Sequence, residues 1–344
     1  MIEKSAIISQ GMIKSGIGRY SWDLYQLGLF QDIWHFSYDG KSDFKNYVYF
    51  SKSWFLNTSV SYYIGGIYKK YVEKYNFVHV SSPGLYHLAK YNKNIVGTLH
   101  DLFVLKYPYP LFFKRFWFKN IKYIYNLEGV VTISDYIKKE AEERFKDIQF
   151  TRIHHWIDDK KFKKRDKYLV RKKLNLEEDK IYLLNVGSEE LRKNLNLLPK
   201  IMNQLDDRFV LIRIGKSESI LNKFKNKKNV IIFNSISDDI FPLYYNAADL
   251  LIHTSIDGGF EYPYIEAIYS NLNIITFDIP IAKEVLRDKA IFIPFRDRDD
   301  PEDWIDAILK NYDKKPDYGD LIDYYKPERA RKDYENFYKK IGWL

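Results

Sequence analysis

Short apolar runs recur along the chain, each closed by a turn and followed by a stretch with helical spacing, and this alternation limits the fold more than any other feature. In the first half the runs are residues 6–9, 33–38, 47–51, 77–81, 94–99 and 129–134. In the second half they are residues 181–187, 209–214, 230–233, 248–253, 273–277 and 290–293. Strands that alternate with helices need crossover connections, so the sheets are expected to be parallel and the class α/β. Between the two sets lies 158–173, rich in lysine and arginine with little apolar pattern, which reads as the connection between domains and the entry to the second. We expect a first domain over residues 1–157, a linking segment over 158–178, a second domain over 179–318 and a terminal helix over 319–344. Each domain is long enough to bury its own core.

The stretch from His253 to Ala267, HTSIDGGFEYPYIEA, is the densest candidate site. A strand end is followed by Gly258-Gly259, which can take positive φ, and by Pro263, which is pre-set to begin a helix. A helix N-terminus there points unpaired N–H groups and a partial positive charge beyond the strand, which suits a phosphate. Glu266, placed in the first turn, either accepts hydrogen bonds from vicinal hydroxyls such as a ribose carries or only complements the helix dipole. The opening run leads into GMIKSGIG (11–18), a second glycine loop ahead of a helix that begins near Ile17. His100-Asp101 ends the run at 94–99; the histidine either donates to a sugar hydroxyl or is satisfied by a neighbouring carboxylate. In GSEELRKNLNLLPKI, Pro199 is tolerated only near a helix start, so the helix begins near Asn196 with Arg192-Lys193 just ahead of it. Two cations in that place call for an anion.

The chain has 344 residues, 46% hydrophobic content, a net charge of +9 and no cysteine. Disulfides and thiolate metal sites are excluded, and a reducing, cytoplasmic setting is the natural one. The start of the chain lacks a signal-peptide core, and no apolar run reaches the length of a spanning helix. The charge favours an anionic partner: a nucleotide-linked substrate, an acidic membrane or a nucleic acid. Nucleic acid has only the charge in its favour, without the aromatic-basic strand pattern that marks such binders. Residues 107–126 form a basic amphipathic helix with Lys114, Arg115, Lys119 and Lys122 on one side and Phe113, Phe116, Trp117, Ile121 and Ile124 largely on the other. It is either a core helix with a solvated face or an interfacial helix on anionic lipid. His154-His155 is not a metal site, because adjacent residues in extended chain point to opposite faces and no spaced third ligand joins them.

Residues 258–267, GGFEYPYIEA, resemble the signature of the retaining GT-B glycosyltransferases of the group 1 (family 4-like) class, written EGFGLPxLEA. Glu266 falls on its second glutamate, Pro263 on its proline and Gly259-Phe260 on its glycine-phenylalanine pair. Two positions depart: Gly258 stands where the family has its first glutamate, and Glu261 where it has glycine, so that either Asp257 or Glu261 supplies the first carboxylate or its role is lost. KSGIGRY is similar to the family's GGxGRY opening, and Arg192-Lys193-Asn194 to the segment that gives an arginine and a lysine to the donor diphosphate, with Ser188 in place of an arginine often found there. SDDIFPLYYNAADLLIHTS and Lys283-Glu284-Val285 match further family segments in the expected order.

The resemblance implies two Rossmann-like domains facing a cleft, with the terminal helix crossing back to the first. It also implies transfer of a hexose from a UDP- or GDP-sugar to a hydroxyl on a glycan, lipid or protein glycan, with retention and without a metal or other cofactor. His100, Asp101 and Glu261 are then the catalytic candidates. Gly16, Gly18, Ser188, Arg192 and Lys193 are donor-binding candidates, as are Asn234, Gly259, Phe260, Tyr264, Ile265 and Glu266. Alternatives are a nucleotide-sugar binding protein without transfer, motivated by Gly258, a nucleotide-sugar epimerase, and a DNA-modifying glucosyltransferase.

Overall fold

In the computed structural model, which describes residues 1–10, 15–37, 46–49, 65–296 and 298–344, every strand pairing is parallel. Among the described residues the first sheet has seven strands in the order β3-β2-β1-β4-β5-β6-β7. They are β1 (Ser5–Gln10), β2 (Asp32–Ser37), β3 (Asn46–Tyr49), β4 (Phe77–Val80), β5 (Ile95–Leu99), β6 (Gly129–Thr132) and β7 (Phe150–Arg152). The second has six in the order β10-β9-β8-β11-β12-β13. These are β8 (Ile181–Val186), β9 (Phe209–Ile214), β10 (Val230–Phe233), β11 (Leu250–His253), β12 (Asn273–Phe277) and β13 (Ile291–Ile293). In both orders the chain starts in the middle and reverses direction across the sheet, which puts the switch point beside β1 in one and β8 in the other. Ligands of such sheets bind beyond the carboxyl ends of the strands at that point.

The chain divides into two units, one of Met1–His155 with Pro327–Leu344 and one of Trp156–Lys326. The terminal helix Pro327–Lys340 is therefore part of the first unit, with Tyr334, Phe337 and Tyr338 buried. Its Tyr334 hydroxyl meets that of Tyr20 at 2.7 Å and its Tyr338 hydroxyl meets His79 Nδ1 at 2.6 Å. Arg329 donates to the carbonyls of His154 and His155.

The basic stretch read as a linker packs as part of the second unit. Phe162 is fully buried edge-on to Phe241 and Tyr245, and Lys167–Lys173 is a helix capped by Asp166. Its buried Arg171 donates to Asp249 at 2.6 Å and to the carbonyls of Ala247, Glu178 and Lys180. The charge-rich composition hid a few apolar anchors, Phe162 and Val170 among them, that suffice to fix it. Residues 319–326 likewise stay with the second unit, where Tyr325 donates to the carbonyl of Val285 at 2.9 Å.

The other corrections are local. Gly16 and Gly18 lie inside the helix Gly16–Gln26, capped by Ser15 accepting from the amide of Gly18, and neither has positive φ; residues 11–14 of the glycine loop lie outside the described residues, as do Tyr38, 50–51 and 62–64 of other expected elements. The basic helix is shorter, Leu111–Ile121 followed by a 3-10 turn Lys122–Asn126. Its outward side carries apolar side chains as well as cations: Leu111, Phe112, Phe118 and Tyr125 are exposed beside Arg115, Lys119 and Lys122.

Candidate functional site

In the second unit the chain leaves β8 through Gly187, whose φ of 142° suits glycine, and winds through a 3-10 turn Leu191–Lys193 to a left-handed Asn194. It leaves β11 at His253 and reaches the helix Tyr262–Ser270. The two turns are stitched together: Ile256 N–H donates to the Arg192 carbonyl at 2.8 Å and Thr254 Oγ1 to the Lys193 carbonyl at 2.8 Å. Lys193 is buried although charged. The anion its position calls for is supplied by the chain itself. Glu261 Oε1 accepts from Arg192 Nη1 at 3.0 Å, while Oε2 accepts from Lys193 Nζ at 2.5 Å and from His253 Nε2 at 3.1 Å. Burial alone would raise the Glu261 carboxyl, but Lys193, His253 and Arg192 hold it well below the usual carboxylate range. Burial brings Lys193 down to about 8, against the pull of Glu261. His253 is also lowered by burial and donates to the carboxylate as a neutral ring.

Several sequence expectations change here. Neither Gly258 nor Gly259 has positive φ; the left-handed residue of this turn is Glu261, at φ 68° and ψ 83°. Glu266 lies beyond the first turn of its helix, is buried, and accepts from the Tyr245 hydroxyl. Phe260, Tyr264 and Ile265 are buried; Phe260 packs edge-on to Tyr325, and the Tyr264 hydroxyl meets Thr276. The Tyr264 amide is engaged as well, donating to the Glu261 carbonyl at 3.1 Å. Ser188 donates to Glu190, which also accepts from Arg192 Nε at 2.8 Å, and Asn234 is exposed just after β10.

Sequence reasoning missed Arg213. It is fully buried on β9 and donates to the carbonyls of Ile214 at 2.8 Å and Gly187 at 2.7 Å, with Lys216 at 3.2 Å and Ser188 at 3.4 Å. An arginine inside a strand that otherwise reads FVLII was the one available signal.

In the first unit His100 follows β5 and its Nε2 donates to the Ser81 carbonyl at 2.9 Å. A carbonyl only accepts, so Nε2 carries the proton, and burial lowers the ring to about 4 despite that bond. The second nitrogen, Nδ1, is thus an acceptor at neutral pH, and the expected donor role is corrected. Tyr20 stands edge-on to His100 at 4.7 Å and His155 lies 5.7 Å from it, a pairing that adjacent histidines in the sequence did not suggest. Thr98 Oγ1 links the Tyr20 hydroxyl at 2.6 Å to His79 Nε2 at 2.7 Å. Asp101 accepts from the amide of Phe103 at 3.0 Å, which ties it to the start of the helix Phe103–Lys106.

Residues 166–324, most of the second unit, match the family model described as glycosyl transferases group 1. The chain is 26% identical over 271 residues to the O-antigen chain mannosyltransferase RfbU of Salmonella typhimurium, covering 75% of this chain and 71% of that protein. Among solved structures it resembles Anabaena HepE in complex with UDP and glucose, with a TM-score of 0.78 at 11% identity over 98% of this chain and 100% of the other. It also resembles WaaG, a glycosyltransferase involved in lipopolysaccharide biosynthesis, with a TM-score of 0.70 at 16% identity over 95% and 94% of the two chains. The α/β architecture of two parallel sheets is that of the GT-B glycosyltransferases, and the segment that matches the group 1 glycosyl transferases is the one in which Arg192, Lys193 and Glu261 converge.

Proposed function

We propose that the chain transfers a hexose from a nucleoside diphosphate sugar to a hydroxyl acceptor, with retention at the anomeric carbon and without a metal. The observation that carries this reading is the buried Lys193 beside Arg192 at the carboxyl ends of β8 and β11. A departing diphosphate needs positive charge and N–H donors in a water-poor site, and these two side chains supply the charge. Ser188, Gly259, Tyr264 and Ile265 lie on the same turns, Glu266 is the candidate for the ribose, and Asn234 stands after β10 where a base contact is expected. In the first unit His100 offers a sugar hydroxyl an acceptor nitrogen at Nδ1, Asp101 holds the turn that follows it, and Gly16 has open space beside it at the start of its helix, where Gly18 is the other glycine candidate. That HepE is seen with UDP and glucose supports a nucleotide-sugar donor, and the likeness to the O-antigen chain mannosyltransferase RfbU supports a glycan chain as acceptor.

Incubation with a panel of UDP- and GDP-sugars and a lipid-linked glycan tests the reading. Transfer to the acceptor with release of nucleoside diphosphate is expected; donor binding without any transfer would favour a binding protein. The anomeric configuration of the product, read by NMR, tests retention. Turnover is expected to persist in excess EDTA, because side chains stand in for the cation that a metal would provide. Loss of turnover that magnesium or manganese restores would refute metal independence.

The acceptor reading extends to a membrane surface. On the helix Leu111–Ile121 and the turn after it, Leu111 is 65% exposed, Phe118 52% and Tyr125 59%, interleaved with cations. Aromatic and leucine side chains enter the headgroup boundary, and each cation near an anionic surface contributes about 1 kcal/mol when unscreened. The protein is expected to float with vesicles containing anionic lipid at low salt. Binding should fall when Lys114, Arg115, Lys119 and Lys122 are all changed to Gln, and again when Phe112 and Phe118 are changed to Ser. Flotation that ignores both sets of changes would leave this face without a role. No helix among the described residues is long and apolar enough to cross a membrane.

A further inference from the structure

We propose that Glu261 is the positioning residue for Lys193 and Arg192, and that residue 258 is glycine because it must leave room for the Glu261 carboxylate, so that the two positions form one exchangeable unit. The inference rests on the reading of this cation pair as the diphosphate site.

Two local rules are broken within four residues. Glu261 holds a positive φ of 68°, a conformation that is unfavourable for a residue with a side chain. Gly258, by contrast, has no positive φ, so backbone freedom does not explain it. Sterics do. A Cβ at residue 258 would lie 2.3 Å from Glu261 Oε1, 2.6 Å from its Cγ and 2.8 Å from its Cδ. The Glu261 side chain folds back across its own turn into the volume that a side chain at 258 would fill. It is held there by Arg192, Lys193 and His253, so it yields only by giving up three charge-assisted bonds. Positions that break local rules in concert are where function is expected. A carboxylate starting from 258 with glycine at 261 would reach the same cations, and the sequence GGFE has the glutamate at the fourth residue of the turn instead of the first.

The purpose is electrostatic as well as geometric. Burial and Arg192 both push Lys193 towards the neutral amine, while Glu261, and more weakly Glu190, keep it protonated. Without the Glu261 charge Lys193 loses its proton at lower pH and the site loses one of its two cations.

The test uses the full chain and four variants: E261Q, E261G, G258A and G258D/E261G. The Lys193 side chain is titrated by NMR, and pyrophosphate, UDP and GDP affinities are measured by calorimetry from pH 6 to 9. In E261Q the Lys193 midpoint should fall below 8, and diphosphate affinity at the alkaline end should drop roughly tenfold for every whole pH step by which that midpoint moves down. G258A adds only a methyl group, yet it should behave like E261Q because it evicts the carboxylate. G258D/E261G should recover affinity that E261G lacks. An unchanged Lys193 titration in E261Q, a harmless G258A, or a folded double variant no better than E261G would each overturn the proposal. The NMR titration needs no ligand: a midpoint that falls as expected, with no diphosphate binding by the wild type, would sink the diphosphate reading and leave the positioning role standing.

Discussion

Lys193→Ala is expected to weaken nucleoside diphosphate binding by roughly ten- to a hundredfold, and binding of the bare nucleoside hardly at all. A hydrogen bond to a charged group contributes about 1.5–3 kcal/mol, and the partner assigned to Lys193 is the diphosphate. Its setting favours the upper part of that range, because the ammonium is buried and fixed by Glu261, so little ordering remains to be done on binding. The same variant should flatten the pH dependence. With Lys193 brought down to about 8, the wild type binds with the ammonium charged below that pH and loses affinity as the pH rises through it. K193A has no such group and should show no decline there. Calorimetry with UDP, GDP and the matching nucleosides at pH 6.5 and 9 decides it. Equal diphosphate affinity in the two proteins at the lower pH would remove Lys193 from the site.

The architecture was legible because it is carried by local signals. Runs such as IYLLNV and FVLIRI are apolar on both faces, as strands covered on both sides must be, and each is followed by a turn and a helix. The cation pair was legible for a similar reason, since Pro199 limits where the next helix starts and so places Arg192 and Lys193 in the turn before it. What those cations face was not. Glu261 reaches them from 68 residues away and through a left-handed backbone that glycines next to it seemed better suited to adopt. The glycine that does carry meaning, Gly258, is explained by another residue's side chain, which no pattern of types along the chain reveals. His100 failed in a different way: its place at a strand end was visible, but its direction of hydrogen bonding depends on the Ser81 carbonyl of a neighbouring strand's loop. The segment 158–173 was legible as the entry to the second domain but not as packed structure, because burial of Phe162 and Arg171 depends on partners near residues 241–249.

Arg213→Met should destabilise the second unit by about 1–3 kcal/mol through the Gly187 carbonyl, which Arg213 binds at 2.7 Å, whereas the Ile214 carbonyl keeps the Gly187 amide at 3.1 Å. Methionine keeps much of the volume and none of the donors, so the loss reports hydrogen bonding more than packing. The guanidinium is fully buried, none of its bonds goes to a carboxylate, its Nε has no partner, and burial has brought it down to about 10. A charge held that way is costly, and its return is geometric: it gathers the ends of β8 and β9 so closely that a Cβ at residue 215 would lie 1.9 Å from the Gly187 carbonyl oxygen. Gly187 is the first residue of the turn that carries Ser188, Arg192 and Lys193, so loosening that bond loosens the whole approach to the cation pair. Urea unfolding of R213M followed by hydrogen exchange should show lost stability and lost protection at 182–188 and 210–216. Diphosphate affinity at low urea should fall less than in K193A, because Arg213 acts on the turn and not on the ligand. An R213M protein as stable as the wild type, with those amides still protected, would mean that the Gly187 carbonyl finds another partner and that the turn holds its shape without the arginine.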